Sequence, residues 1–149
     1  MAIYAKIKGA KQGDIKGGVA TQAYIGQIQV NEIDFGLGGG FDVLSGQATG
    51  RRVARPVIFT KPLDKSSPLL FSSCSTNEAL SVKFSYTIEG EGHKAYVTVE
   101  LTNAMIREFA HVGSANGLGT EKLTLTYTKI EFTWVEGGIS AEDDWIQRA

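Results

Sequence analysis

The sequence predicts a mainly β protein: a compact, curled β-barrel of two sheets, with one short flanking α-helix and an extended glycine-rich loop. Three observations support this prediction. Several segments alternate apolar and polar residues, and the apolar positions change side within two of them. In addition, 18 glycines cluster between the alternating segments, against about 10 at average usage. Alternation is the period of a strand, because successive side chains point to opposite faces of a sheet.

The clearest alternation predicts a β-hairpin in the middle of the chain. Apolar residues occupy every second position from Leu80 to Ile88, and again from Val97 to Leu101. Residues 89–93 contain two glycines and form a short connection, so the two segments read as neighbouring antiparallel strands.

Two segments change their buried face partway along. In the last predicted strand the apolar residues move from odd to even positions between Tyr127 and Ile130, and the segment 28–37 changes in the opposite sense. Such a strand needs a β-bulge or must pass from one sheet to the other. We therefore expect Leu125 and Phe132 both to be buried, in a curled barrel or a corner-turning sandwich rather than a flat sheet.

One short helix is predicted at 68–76. Ser67 can cap its N-terminus, proline is favoured at the first helical position, and Asn77 is a suitable stop. Three residues at helical spacing are predicted to form the face that docks on the β core: Leu70, Phe71 and Cys74.

The remaining segments are predicted to be irregular. Gly36–Gly40 opens a flexible loop that continues to Arg52, and loops of this length are usually functional or disordered. Residues 137–149 read as a polar tail. With 149 residues and no repeat of 20–50 residues, the chain is expected to form a single domain, 1–149.

Composition excludes several classes of function. The formal net charge of −1 gives no reason to expect a nucleic acid or an anionic membrane as partner, and no apolar run approaches the length of a membrane helix. The single cysteine cannot form an internal disulfide, which fits synthesis in the cytoplasm. Because the first residues alternate and resemble no signal peptide, any export is expected to need no cleaved signal.

No catalytic set emerges from the sequence. His93 lies in a predicted turn and His111 ends a predicted strand, so both are interpreted as ordinary surface residues rather than as general bases. Cys74 has no histidine nearby in the sequence and lies on the apolar helix face. It is interpreted as a core residue rather than a nucleophile. We therefore expect no enzymatic activity.

Cofactor and metal sites are not predicted either. Three consecutive acids, Glu142 to Asp144, cannot all point inward on a regular element and are interpreted as a solvated tail. The Gly36–Gly40 run lacks the lysine and the helix that follow a phosphate loop. Trp134 and Trp145 are interpreted as core or docking residues rather than a ligand-stacking pair.

One continuous motif carries a family resemblance. Residues 59–70 read FTKPLDKSSPLL, and Ser73-Cys74-Ser75 follows. This run resembles the signature of the hemolysin-coregulated protein (Hcp) family of type VI secretion systems, in which a strand ends in a similar sequence and a helix follows. The block 120–132 resembles the last long strand of that family, and Trp145 and Arg148 match its C-terminal tail.

The resemblance implies a β-barrel related to phage tail-tube proteins. It implies a homohexameric ring that stacks into a tube, together with a contractile sheath, a spike protein and effector proteins as partners. It also implies that the loop at 36–52 contacts the adjacent ring, and we expect the loop's apolar tip and basic base to make that contact. The expected stacking residues are Phe41, Val43, Leu44, Arg51 and Arg52.

Two other functions remain open at this point. A phage or tailocin tail-tube subunit would have the same architecture in a different machine. A β-sandwich binding module, for carbohydrate, would use Trp134 or Trp145 and would usually be monomeric. The oligomeric state separates the ring-forming proteins from the binding module.

Overall fold

A computed structural model of the chain describes residues 1–41, 44–88 and 94–144, without the side chains of 39–41 and 48–53. Its strands are β1 (Ala2–Gly9), β2 (Gly13–Ile15), β3 (Ile28–Val30), β4 (Glu32–Phe41), β5 (Ala48–Pro62), β6 (Leu80–Ile88), β7 (Lys94–Val112), β8 (Thr120–Thr126), β9 (Lys129–Trp134) and β10 (Ile139–Asp144). The α-helix, α1 (Ser67–Thr76), lies between β5 and β6. Within the described ranges, no helix has both the length and the apolar character needed to cross a membrane.

The strands form two sheets that share one long strand. In the first sheet β1 pairs with β2, β3 and β6, and the order continues through β7 and β9 to β10. In the second sheet β7 pairs with β8, followed by β5 and β4. The sheets do not close into a complete barrel.

Strand β7 bends at the point where it leaves one sheet for the other. Its residues 97–102 pair with β9 in the first sheet, and its residues 105–112 pair with β8 in the second. Between them Asn103 has φ 51°, a left-handed conformation that asparagine tolerates better than most residues. One strand therefore holds the two sheets at a fixed angle.

The change of apolar parity marks a change of sheet. β8 lies in the second sheet and β9 in the first, so the chain crosses between sheets at residues 127–128. The chain makes the same crossing from β3 to β4. Leu125 is buried as expected, but the expectation for Phe132 is wrong in the single chain, where this side chain is 49% exposed. The reason is that β9 extends past the edge of the core.

The core lies between the two sheets and under the helix. Phe59 of β5 and Phe84 of β6 meet edge to face, with ring centroids 5.3 Å apart, and both are completely buried. Leu70 of α1 is buried on the same core. Burying each such side chain contributes roughly 1.5–3 kcal/mol relative to exposure, so these contacts fix the helix and both sheets together.

The helix agrees with its predicted bounds but not with its predicted face. Asn77 ends it in a left-handed conformation with φ 54°. Leu70 is fully buried and Cys74 packs against the core, whereas Phe71 is 61% exposed, so the expectation that Phe71 is buried is wrong. The buried residues of the helix are instead Ser67, Leu70 and Ser73. The two serines can be buried because their hydroxyls form hydrogen bonds inside the protein.

The predicted loop at 36–52 is largely a β-hairpin, so the loop assignment is wrong. β4 and β5 stay paired from Glu32 opposite Thr60 out to Phe41 opposite Ala48, with two register shifts. A Cβ at Gly36 would meet only the guanidinium of Arg55, an exposed side chain that can move aside, so this position does not require glycine. The prediction of a loop relied on glycine content, which did not prevent these residues from forming paired strands.

The predicted polar tail also contains a strand. β10 pairs with β9 along its whole length, from Ile139 opposite Trp134 to Asp144 opposite Lys129. Glu142 forms an ion pair with Lys129 at 2.9 Å, and this interaction raises the pKa of the lysine. Residues 142–144 therefore form a strand rather than a tail, although Glu142 is solvent-exposed as expected.

Candidate assembly surface

The face of the first sheet that packs on the core extends beyond the core, and there it is exposed to solvent. Opposed residues in a sheet share a face, and Val99 of β7 lies opposite Phe132 of β9, which lies opposite Ala141 of β10. The burial changes along this row, because Val99 is inaccessible while Phe132 is half exposed and Ala141 is exposed. The row through Trp134, which is 49% exposed, and Ile139, which is 68% exposed, behaves in the same way. We call this surface the apolar overhang: Ile130, Phe132, Trp134, Ile139 and Ala141.

Aromatic side chains of the same chain pack against two residues of the overhang. Phe35 of β4 meets Phe132 edge to face at 5.2 Å, and Tyr96 meets Trp134 at 5.9 Å. Between the overhang and β4 runs an open groove of about 200 Å³. Its lining residues are Phe35, Gly36, Leu37, Tyr127, Ile130, Phe132, Ala141, Glu142 and Asp143. A contiguous apolar surface of this kind is typical of an interaction site.

Edge strands lie on both sides of the groove. Among the described strands, β4 pairs only with β5, and β10 pairs only with β9. An edge strand offers backbone groups with which another chain can extend the sheet. Two edges and an apolar face thus converge on the same side of the molecule.

The FTKPLDKSSP motif builds a buried ion pair at the far end of the second sheet. Lys61 of β5 is completely buried, and its Nζ lies 2.6 Å from Oε1 of Glu121 on β8. The ammonium also contacts Oδ1 of Asp64 at 3.1 Å and donates hydrogen bonds to the Ser67 hydroxyl and the Pro62 carbonyl. These polar partners of the ammonium belong to the motif itself, apart from Glu121.

The carboxylate of Glu121 also has several polar partners. The Ser67 hydroxyl donates to its Oε1 at 2.6 Å, and Nδ1 of His111 lies 3.1 Å from its Oε2. A buried charge pair is tolerated only when further hydrogen bonds replace the lost water. Because β5, β7, β8 and the first turn of α1 all contribute groups, this network joins the helix to the second sheet.

The residues singled out in the sequence fall in different places. His111 lies on the surface as expected, with its side chain 37% exposed, and its Nδ1 also contacts the buried carboxylate of Glu121. The predicted turn with His93 lies outside the described residues. In the described part of the chain, no cluster of three histidine, cysteine or acidic residues could hold a metal. The overhang was missed, because only strand pairing shows that Phe132 and Trp134 lie beyond the core.

Four of the five predicted stacking residues lie in the described part of the β4–β5 hairpin. Leu44 is 96% exposed at the tip. Phe41 ends β4, and Arg51 and Arg52 belong to β5, although their side chains are not described. Val43 and the tryptophan at position 145 lie outside the described residues.

Comparison with known proteins agrees with the motif. The family model described as "Type VI secretion system effector, Hcp" matches residues 4–134. The Major exported protein of Pseudomonas aeruginosa strain PAO1 is 34% identical over 95% of this chain and 94% of that protein. The structure of Hcp1 from Escherichia coli EAEC 042 is 30% identical, with a TM-score of 0.87 over 97% of this chain and 99% of that one.

A second solved relative extends the agreement. Hcp3, a secreted protein of Pseudomonas aeruginosa, is 28% identical, with a TM-score of 0.74 over 96% of this chain and 99% of that one. The family model spans most of the chain and includes the strand–helix motif, both sheets and β9. The chain therefore belongs to the Hcp family, the secreted tube subunits of type VI secretion systems.

Proposed function

We propose that this chain assembles into a hexameric ring through the apolar overhang and the edge strands beside it. The observation that carries the proposal is the half-exposed pair Phe132 and Trp134, which extend a core face into solvent. Covering apolar surface stabilises a complex by about 25 cal/mol per Å² before the costs of association. A neighbouring subunit would supply that cover.

Ring closure explains why the two sides of the subunit differ. In a cyclic ring the interface is heterologous, so a patch on one subunit meets a different patch on the next. The overhang and the β10 edge form one patch, and a sheet edge on the far side of the neighbour forms the other. Once the ring closes, both patches of every subunit are in contact with a neighbour.

The role of the ring is structural and it carries out no reaction. Stacked rings form the tube, a contractile sheath and a spike protein act with it, and effector proteins travel within the ring. The chain is made in the cytoplasm and passes outward through the machine. Membership of a family of secreted tube subunits supports this role.

Stacking is assigned to the β4–β5 hairpin. Its tip residues Phe41, Val43 and Leu44 insert against the next ring, and Arg51 and Arg52 meet acidic groups there. Support comes from the length of the arm, whose strands pair out to Phe41 opposite Ala48, and from the exposure of Leu44. An exposed apolar tip is an aggregation liability unless a partner covers it.

Native mass spectrometry at about 10 µM tests the ring, because subunit assembly depends on concentration. We expect the wild-type chain to be a hexamer and Phe132→Ser/Trp134→Ser to be a folded monomer with an unchanged circular dichroism spectrum. Ile25→Ser is the matched control, since Ile25 is 66% exposed but does not belong to the overhang. A monomeric wild-type chain, or a hexameric double variant, would contradict the proposal.

A further inference from the structure

The turn between β7 and β8 contains an asparagine that is followed by glycine. Asn116 and Gly117 are both exposed at the tip of this turn. The backbone amide that follows an asparagine can attack the carbon of the side-chain amide, because the two groups can close a five-membered ring. Glycine favours the attack, since it has no Cβ to hinder the approach and it gives the backbone more freedom. The pair therefore has the sequence that deamidation requires.

The structure leaves both reacting groups of this pair open. Among the described residues, neither the side-chain amide of Asn116 nor the backbone amide of Gly117 forms a hydrogen bond. The backbone amide of Asn116 donates to the Ser114 hydroxyl at 3.2 Å, a contact that engages neither reacting group. Apart from the neighbouring residues, no heavy atom lies within 4 Å of the position that a Cβ on Gly117 would take. The space that the attack requires is therefore free.

The base of the same turn is held firmly. The Leu63 amide donates to the Gly119 carbonyl at 3.0 Å, and Val112 pairs with Thr120. A Cβ at Gly119 would overlap the Val112 carbonyl, so the backbone is closely packed there. Exposed loop tips tolerate change better than the paired backbone below them. A modification at position 116 is therefore expected to leave the pairing of β7 with β8 intact.

The other three asparagines have a less favourable setting. Each is followed by a residue with a side chain, in the pairs Asn31-Glu32, Asn77-Glu78 and Asn103-Ala104. The Glu78 amide donates to the Ser73 carbonyl at 3.0 Å, and Ala104 is completely buried within β7. The sequence and the structure thus single out the same asparagine.

We propose that Asn116 deamidates spontaneously, through a cyclic succinimide, to a mixture of aspartate and isoaspartate. The amide nitrogen of Gly117 loses its proton and bonds to Cγ of Asn116, and the Cγ–Nδ2 bond breaks to release ammonia. Water then opens the ring at either of its carbonyl groups. One opening restores the ordinary backbone as aspartate, and the other leads the backbone through the former side chain as isoaspartate. One water is consumed, one ammonia is released and no electron is transferred.

The modification goes beyond the proposed function and does not depend on the ring. It makes the formal net charge of −1 one unit more negative, and isoaspartate adds one carbon atom to the backbone of the turn. Both changes lie at an exposed tip, beside Leu118, which is 71% exposed. Chains of different age therefore present different surfaces at this end of the second sheet.

Peptide mass spectrometry tests the site. Trypsin cleaves after Arg107 and Lys122 and releases the peptide 108–122, in which Asn116 is the only amide side chain. The full chain is incubated in mildly alkaline buffer, which favours deprotonation of the Gly117 amide. We expect this peptide to be replaced progressively by two heavier products of identical mass, of which only one is methylated by an isoaspartate-specific carboxyl methyltransferase. Peptides that contain the other three asparagines are expected to keep their mass.

Two variants serve as matched controls. Gly117→Ala places a methyl group in open space, so the chain should fold normally and lose both products over the same incubation. Asn116→Gln lengthens the side chain, so the five-membered ring cannot form and the peptide should keep its mass. A wild-type peptide that keeps its mass, or a Gly117→Ala chain that converts as fast as wild type, overturns the inference. An aspartate product without isoaspartate overturns the succinimide route.

Discussion

Glu78 is a buried carboxylate that ties the end of α1 to the turn between β1 and β2. The residue is only 2% exposed, and its two oxygens accept four hydrogen bonds. The amides of Lys11 and Gln12 donate to Oε2 at 2.7 and 2.8 Å, and the Gln12 side chain and the Ser73 hydroxyl reach Oε1. Burial acts to raise the pKa of Glu78, but these hydrogen bonds outweigh it and lower the pKa to about 2.

The lowered pKa predicts a loss of stability in acid. The unfolded chain binds a proton near pH 4.5 and the folded chain only near pH 2, so Glu78 stabilises the fold above pH 4.5. That contribution, about 1–3 kcal/mol, is lost as the pH falls from about 5 towards 2. Denaturant unfolding of Glu78→Gln should show a lower free energy than wild type at pH 7, and the difference should shrink towards pH 3. Glu100→Gln, in an exposed pair with Lys83, is the control and should show little difference. A constant difference between wild type and Glu78→Gln across this range would contradict the assignment.

At this scale the sequence identified the motif but not the interactions that it makes. The run at 59–70 resembles its family signature, yet its central contact joins Lys61 to Glu121, a residue 60 positions away. No periodicity connects two such residues. Only the pairing of β5 with β8, which sets Lys61 opposite Glu121, brings the charges together.

At the scale of the elements, local sequence signals predicted the bounds of the helix, whereas tertiary packing determined which of its faces is buried. Local signals placed α1 within one residue of its observed start and gave its stop at Asn77. The predicted cap is wrong, because Ser66 rather than Ser67 precedes the helix and its side chain makes no capping hydrogen bond. The buried face depends on what the helix meets. It meets a surface where Ser67 and Ser73 complete polar networks, which turns Phe71 towards the edge.

The exposure of Phe71 predicts a small effect on stability. Its ring contacts Phe109 edge to face at 5.7 Å, and such a pair contributes about 0.5–1.5 kcal/mol. Phe71→Ala should therefore lower the free energy of unfolding by about 1 kcal/mol, whereas Leu70→Ala, at a fully buried position, should lower it by about 2–5 kcal/mol. Urea melts of the two variants measure both values. An equal loss in the two variants would show that the helix face is assigned incorrectly.

The strands show the same division between local and long-range information. Alternation located β6 and β7, and the change of parity at Tyr127 predicted a crossing or a bulge, of which the crossing is observed. Glycine content argued against a strand at 36–41, and acidic content against one at 142–144. Both assignments failed because pairing with β5 and β9 supplies backbone hydrogen bonds that outweigh weak local propensity.

At the scale of the whole molecule, the exposed apolar surface is the feature that bears on assembly. The overhang lies at the side of the subunit where the first sheet ends, whereas the tip of the β4–β5 hairpin lies at one end of the second sheet. In the proposed assembly, lateral closure and axial stacking therefore use separate residues.

Separate surfaces predict that stacking can be removed without removing the ring. Replacing Phe41, Val43 and Leu44 together with serine should leave hexamers intact in native mass spectrometry, because none of them belongs to the overhang. The same variant should form no tubes in electron microscopy and should not be secreted, because the tip loses the apolar contact that orders it against the next ring. Ile25→Ser, which removes an exposed apolar side chain outside the hairpin, should form tubes and be secreted normally. Tubes of normal length from the triple-serine chain would show that the hairpin folds against its own subunit and is not the stacking element.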